Sequence, residues 1–137
     1  MKYLGLDLGS RTLGIAVSDK TGTIASSYGT IRHNEEYDSL LVRVKELVEE
    51  LEIEAVVLGF PKNMNNTIGP KGELSLDFKE KLEKIIQVPV YLQDERLTTK
   101  SATDMLIQGN VSRKNRKKVV DSVAATIILQ TYLDRRS

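Results

Sequence analysis

Positions 2–8 alternate, with Leu4, Leu6 and Leu8 on one face and Tyr3, Gly5 and Asp7 on the other, which predicts a strand. Gly9-Ser10-Arg11 signals a turn. The alternation resumes over 12–18 through Leu13, Ile15 and Val17, so the two runs read as a hairpin. Gly22 marks another turn before 24–31, a third antiparallel strand. The period then changes. Leu40, Leu41, Val44, Leu47, Val48 and Leu51 share one stripe at helical spacing, predicting an amphipathic helix over 35–51. Ala55-Val56-Val57-Leu58-Gly59-Phe60 is a short continuous apolar run, the mark of a strand buried on both faces. A polar loop rich in Asn and Gly follows over 61–72. Leu74, Phe78, Leu82, Ile85 and Ile86 predict a second helix, and 88–92 a fifth strand. Thr98 or Thr99 caps a third helix reaching about 108, and 119–133 supplies a fourth.

Three hairpin-linked strands followed by helix–strand–helix–strand–helix define an α/β fold. Crossovers of this length add the fourth and fifth strands in parallel beside the first. The expectation is a five-stranded mixed sheet, order 3-2-1-4-5, flanked by helices. No repeat, low-complexity tract or linker interrupts the chain, so 1–137 reads as a single domain.

Composition narrows the chemistry. Hydrophobic residues at 40% and charged residues at 28% describe a globular chain that can bury a core. There is no cysteine and one histidine, His33, in a polar segment with no evident role. Disulfide frameworks, Cys/His zinc sites, thiol nucleophiles and mechanisms needing two histidines are thereby excluded. Asp7 interrupts the apolar stretch a signal peptide needs, and no run approaches the roughly 18 apolar residues of a membrane helix. The expected setting is the cytoplasm, with no membrane partner.

Net charge is +1, but its distribution is uneven. Arg113, Lys114, Arg116, Lys117 and Lys118 put five cations in six positions, and leaving them out takes the net charge from +1 to −4. Cations in the first turn of a helix oppose its macrodipole, at about 0.3–1 kcal/mol each on exposed sites. If the last helix begins near Ser112, this run is unfavourable where it sits, and polyanion binding accounts for it.

Three carboxylates stand where the local pattern calls for something else. Asp7 lies within the first strand between Leu6 and Leu8, where a carboxylate is disfavoured and costly to bury unpaired. Gly5, on the same face, is expected to leave open space beside it. Asp121 aligns with Ala125, Ile128 and Tyr132 on the last helix and so flanks its apolar stripe. Glu95 follows the fifth strand in Gln93-Asp94-Glu95-Arg96, at the carboxyl edge where open α/β sheets carry their sites. By position alone Asp94 serves as well as Glu95. With the first strand central, Asp7, Glu95 and Asp121 can converge, and converging carboxylates need a proton or a cation between them. Hard oxygen donors select Mg²⁺ or Mn²⁺, which can activate water and stabilise the leaving oxygen of a phosphodiester. Lys62 and Asn63, in the loop after the fourth strand, lie on the same edge within reach of phosphate or sugar. Phe60, Tyr91 and Tyr132 read as core or rim residues.

Leu4-Gly5-Leu6-Asp7-Leu8-Gly9-Ser10-Arg11-Thr12-Leu13-Gly14-Ile15-Ala16, Gly59-Phe60-Pro61-Lys62-Asn63, Asp94-Glu95-Arg96-Leu97-Thr98-Thr99, and Arg116-Lys117-Lys118 leading to Asp121 and Ala124-Ala125 occur in that order. Together they resemble the YqgF (RuvX-like) family, the Holliday-junction-resolvase-like proteins also described as pre-16S rRNA nucleases. The resemblance spans essentially the whole chain. It implies an RNase H-like fold and a cytoplasmic bacterial nuclease acting at the 5′ end of small-subunit precursor rRNA. The family's acidic trio falls on Asp7, Glu95 and Asp121, which selects Glu95 over Asp94 and leaves Arg96 as a phosphate contact or carboxylate partner. In one respect the chain departs from the related bacterial junction resolvases. They carry a further aspartate one turn along the last helix from the equivalent of Asp121, and here Ala124 stands there.

The leading expectation is an Mg²⁺- or Mn²⁺-dependent nuclease, most simply an endonuclease, working on structured RNA as a monomer or weak homodimer. DNA junctions are the second substrate class, and a non-catalytic RNA- or ribosome-binding factor is the alternative of a different kind. Asp7-Leu8-Gly9-Ser10 before a hairpin also resembles the first phosphate loop of actin-like ATPases and sugar kinases. Those enzymes enclose ATP between two such domains, and this chain has the length of one; a Gly-x-x-x-x-Gly-Lys-Ser/Thr loop is absent as well.

Overall fold

The computed structural model describes residues 1–9, 11–34, 36–60, 69–94 and 113–136, by backbone alone along 113–122 and at 136. Strands β1 (Tyr3–Leu8), β2 (Thr12–Ser18), β3 (Ala25–Arg32), β4 (Ala55–Phe60) and β5 (Val90–Asp94) form one sheet in the order β3-β2-β1-β4-β5. β1, β2 and β3 are antiparallel neighbours, whereas β4 and β5 add in parallel. Helices α1 (Tyr37–Glu50) and α2 (Pro70–Ile85) are the crossovers that parallel addition requires. A further helix, α3 (Arg113–Arg136), follows the sheet. The expected α/β architecture and strand order are those found.

Alternation in β1 divides the core between two faces. Leu4, Leu6 and Leu8 join Leu13, Ile15 and Leu58 beneath Leu40, Val44 and Leu47 of α1 and Phe78 and Leu82 of α2. Each such buried leucine contributes about 1.5–3 kcal/mol relative to exposure. The opposite face carries smaller residues. Tyr3, Ala16, Ala55 and Val57 meet Ala125, Ile128, Leu129 and Leu133 of α3. All six residues of β4 are buried, as its continuous apolar run requires of a strand covered on both sides.

Turns fix the register. α1 ends with Glu52 at φ 55°, while the Ile53 N–H reaches back to the Val48 carbonyl at 2.9 Å. This left-handed closure satisfies a helix-end carbonyl and turns Ile53, 4% exposed, into the core. Between β2 and β3, Gly22 adopts φ +70°, and a Cβ there would stand 2.8 Å from the Met1 carbonyl oxygen.

Element ends differ from expectation where polar groups enter strands or helices. β3 runs one residue later, because Ile24, 61% exposed, belongs to the turn that Asp19 closes. α1 is shorter than 35–51, and α2 starts at Pro70, inside the segment expected to be loop. Proline at a first helical position loses no hydrogen bond. β5 lies two residues further along than 88–92 because its partners on β4 run from Val56↔Val90 to Phe60↔Asp94, which brings polar Gln93 and Asp94 into the ladder. α3 begins at Arg113, well before the expected 119. The helix expected over 98–108 lies outside the described residues.

The β2–β3 turn supplies a pH test. The Asp19 carboxylate accepts hydrogen bonds from the Thr21 hydroxyl and from the Thr23 and Ile24 N–H groups, at 2.9 and 3.1 Å for the two amides. These bonds, the Thr21 contact first, favour the charged form and lower its pKa from 3.8 to about 2. A depressed folded-state pKa contributes stability that is present above the unfolded value and is lost as pH falls through the folded one. Urea titrations of the wild type and Asp19→Asn should therefore show a constant stability gap above roughly pH 5. The gap should narrow as the pH falls from 3.8 towards 2.

Candidate active site

Asp7 sits near the carboxyl end of the central strand, half-buried, on the face that α3 covers. Its β2 partner is Gly14. The β1–β4 register runs to Leu6↔Leu58, which sets Gly59 beside Asp7 one residue further on. Gln93 is paired with Gly59 on β5. Asp7 thus lies in a row between two glycines, with Gln93 at the end of the row. Gln93 is 5% exposed and donates to the Asp94 carbonyl at 3.4 Å. Paired residues of adjacent strands project to the same face, so Asp7 is bordered on both sides by positions without side chains.

The approach of α3 follows from Gly5. A Cβ built on Gly5 would lie 2.7 Å from the Leu129 Cβ and 3.1 Å from the Ala125 carbonyl oxygen. Any larger residue would have to displace the helix backbone. The space above Gly5, expected to be open, is therefore filled by α3; it is the glycine that lets the helix down onto the strand. Further along, Tyr132 meets Tyr3 with ring centroids 6.0 Å apart and stacks on Tyr91 at 5.5 Å and 17°. Tyr91, expected in the core or rim, is 40% exposed.

α3 therefore runs opposite to β1, with Tyr132 by Tyr3 and Leu129 and Ala125 over Gly5. Gln130 fixes its lateral position, accepting from the Ala25 N–H at 2.8 Å and donating to the Thr23 carbonyl at 2.9 Å. One turn before Ala125 the helix backbone carries Asp121, advancing in the direction in which β1 advances from Gly5 to Asp7. Ala125 and Ile128, with which Asp121 aligns, are fully buried.

The other expected site residues separate into two groups. Arg113, Lys114, Arg116, Lys117 and Lys118 occupy the opening turns of α3, and no acidic residue stands in its first turn. Their side chains and that of Asp121 lie outside the described residues, as do Lys62, Asn63, Glu95 and Arg96. Asp94 closes β5, so Glu95 follows directly from the carboxyl edge. Among the described residues no three His, Cys, Asp or Glu side chains gather to hold a metal. Asp7 is the member of the trio whose side chain is described. The oxygen donors of Asp7, Glu95 and Asp121 are the set that a hard divalent cation prefers.

Two contributors escaped the sequence reading. His33 Nε2 bonds the Gly9 carbonyl at 2.9 Å, and its ring lies 5.3 Å from that of Tyr37. The single histidine thus braces the turn that leaves Asp7. Gln93 was hidden by its position at the polar end of a strand expected to stop at Leu92.

A strand carboxylate thus stands at the carboxyl edge of a mixed α/β sheet, on the face that a closely packed final helix covers. The chain belongs to the RuvX family, described as Holliday junction resolvase, whose pattern matches residues 1–135. It is 55% identical over 135 residues to a Bacillus subtilis (strain 168) protein named "Putative pre-16S rRNA nuclease", covering 98% of both chains. A Geobacillus (strain WCH70) protein of the same name is 50% identical over 137 residues, covering 99% of each. Among solved structures, RuvC of T. thermophilus in complex with a Holliday junction substrate superposes with TM-score 0.64 at 18% identity, over 100% of this chain and 97% of that one. The fowlpox virus resolvase with Holliday junction DNA gives TM-score 0.63 at 14% identity, over 99% of both. These likenesses establish the RNase H-like fold.

Gly5→Ala tests the helix–strand contact. Overpacking of this kind costs about 1–3 kcal/mol. Urea denaturation should show a loss in that range, and Gly29→Ala on the edge strand β3, which meets nothing within 4 Å, should lose less. Equal losses would place the effect in strand glycines generally and not in the α3 contact.

Proposed function

We propose that this protein is a metal-dependent nuclease, working as one domain, that hydrolyses phosphodiester bonds of structured RNA in the cytoplasm. The 5′ end of precursor 16S rRNA is the substrate that the names of its relatives favour. The observation that supports the reading is the descent of α3 onto Gly5, two residues before Asp7 on the central strand. Asp7, Glu95 and Asp121 would hold Mg²⁺ or Mn²⁺, and such an ion supplies an activated water and charge neutralisation at the scissile phosphate.

The chain's own residues divide the remaining work. Asp7, on a strand covered on both faces, gives the site a rigid anchor. The glycines beside it keep the row free of side chains where a phosphate must approach. Arg113, Lys114, Arg116, Lys117 and Lys118 would hold the nucleic-acid backbone, which accounts for cations placed against the helix dipole. Lys62, Asn63 and Arg96 would add contacts from the loops after β4 and β5. DNA junctions are a second substrate class, supported by the fold shared with RuvC and the viral resolvase. Ala124 weighs against it, because it removes a carboxylate that the related junction resolvases carry.

Purified protein should cleave precursor rRNA with Mg²⁺ or Mn²⁺. Asp7→Asn should lower the rate by at least ~100-fold, the scale of several kcal/mol of lost metal stabilisation, with an unchanged circular dichroism spectrum. Cleavage that persists in EDTA would exclude the metal mechanism. Binding without cleavage would make the protein an RNA-binding factor.

A further inference from the structure

Two arginines outside the candidate site stand on the same edge of the sheet. Arg11 lies in the β1–β2 turn and Arg32 ends β3; both are exposed. Neither guanidinium has a hydrogen-bond or ion-pair partner among the described residues. Arg43, by contrast, is held by Glu46 at 3.0 Å.

Their backbone positions are tightly fixed. The Gly9 N–H donates to the Thr12 carbonyl at 2.8 Å, and the His33 N–H donates to the Arg11 carbonyl at 2.9 Å. The His33 ring closes the same turn on the Gly9 carbonyl. Rigid backbone carrying two guanidinium groups without a partner among the described residues is what a preorganised anion contact requires.

The register gives their relation to Asp7. Asp7, Gly14 and Thr30 form one row, and Thr12 and Arg32 form a row nearer the edge on the same face. Standard strand spacings put the Arg32 and Asp7 backbones about 12 Å apart. Arg11 precedes Thr12 at the rim, its carbonyl accepting from the His33 N–H. β2 and β3 also lie on the opposite side of β1 from β4 and β5.

We infer that Arg11 and Arg32 bind backbone phosphates of the nucleic acid on the β3 side of Asp7. The substrate chain then crosses the sheet edge and continues on both sides of the scissile bond. The inference rests on the nuclease reading for placing the scissile bond at Asp7; the arginine contacts can be measured without it.

The test is the salt dependence of binding to a fluorescent single-stranded RNA, in EDTA so that nothing is cut. Each phosphate contact on a single strand contributes about 0.7 to the log–log slope. Arg11→Ala and Arg32→Ala should each lower the slope by about 0.7, and the double variant by about 1.4. Lys20→Ala, the same charge change at the opposite end of β2, should leave it unaltered. With Mn²⁺ added, the double variant should show a raised KM with kcat retained. A slope in the double variant equal to that of the wild type overturns the arginine assignment, and cleavage by the wild type then leaves the nuclease reading standing. A reduced slope without cleavage supports the arginines and overturns the nuclease reading. A wild type that binds no RNA overturns both.

Discussion

The missing side chain at Gly5 lets α3 rest directly on the central strand, and the candidate site depends on that contact. With Leu129 Cβ and the Ala125 carbonyl where a Cβ of residue 5 would go, helix and strand are in backbone contact. Close-packed interiors transmit such constraints with little give. The small residues Ala16, Ala55 and Ala125 continue this close seam, and Gln130 pins the helix to the β2–β3 turn. Position 121 comes one helical turn before that contact, and Asp7 two strand positions after it.

The same strand meets two different demands. On the α1–α2 face, Leu4, Leu6 and Leu8 fill volume. On the α3 face, Tyr3, Gly5 and Asp7 give way from bulk to contact to charge as the strand approaches the edge. Gly14 and Gly59 remove side chains on either side of Asp7. Beyond them the chemistry becomes polar, with buried Gln93 on one flank and the rim arginines Arg11 and Arg32 on the other. The basic residues opening α3 stand against the helix dipole, at a cost in local helix stability.

Much of this was legible in the chain because packing writes a period into sequence. The leucine alternation of β1, the stripe of α1 and the unbroken apolar run of β4 each predicted their element, and together they gave the strand order. The ends that serve the edge were not legible. Gln93 and Asp94 continue β5 through ladder pairing with β4, which leaves no hydrophobic signal. The opening turns of α3 are basic and carry no apolar stripe, so that helix appeared to begin at 119. Gly5 was recognised as unusual but misread, since a missing side chain signals an open space and a filled one equally well. Asp7 could be singled out because a carboxylate inside a strand contradicts its surroundings. Asp121 was singled out by its alignment with the apolar stripe of the last helix, and the family resemblance chose Glu95 over Asp94. His33 escaped notice because its partner is a backbone carbonyl, invisible to any residue pattern.

Binding of Mn²⁺ followed by electron paramagnetic resonance tests the convergence of the acidic residues most directly, and it is independent of any substrate. The account predicts that the wild type takes up Mn²⁺ and that Asp7→Asn, Glu95→Gln and Asp121→Asn each abolish the same bound signal. Mn²⁺ that is lost with Asp7→Asn but bound undiminished by Asp121→Asn would show that α3 does not complete the site, and would contradict the account.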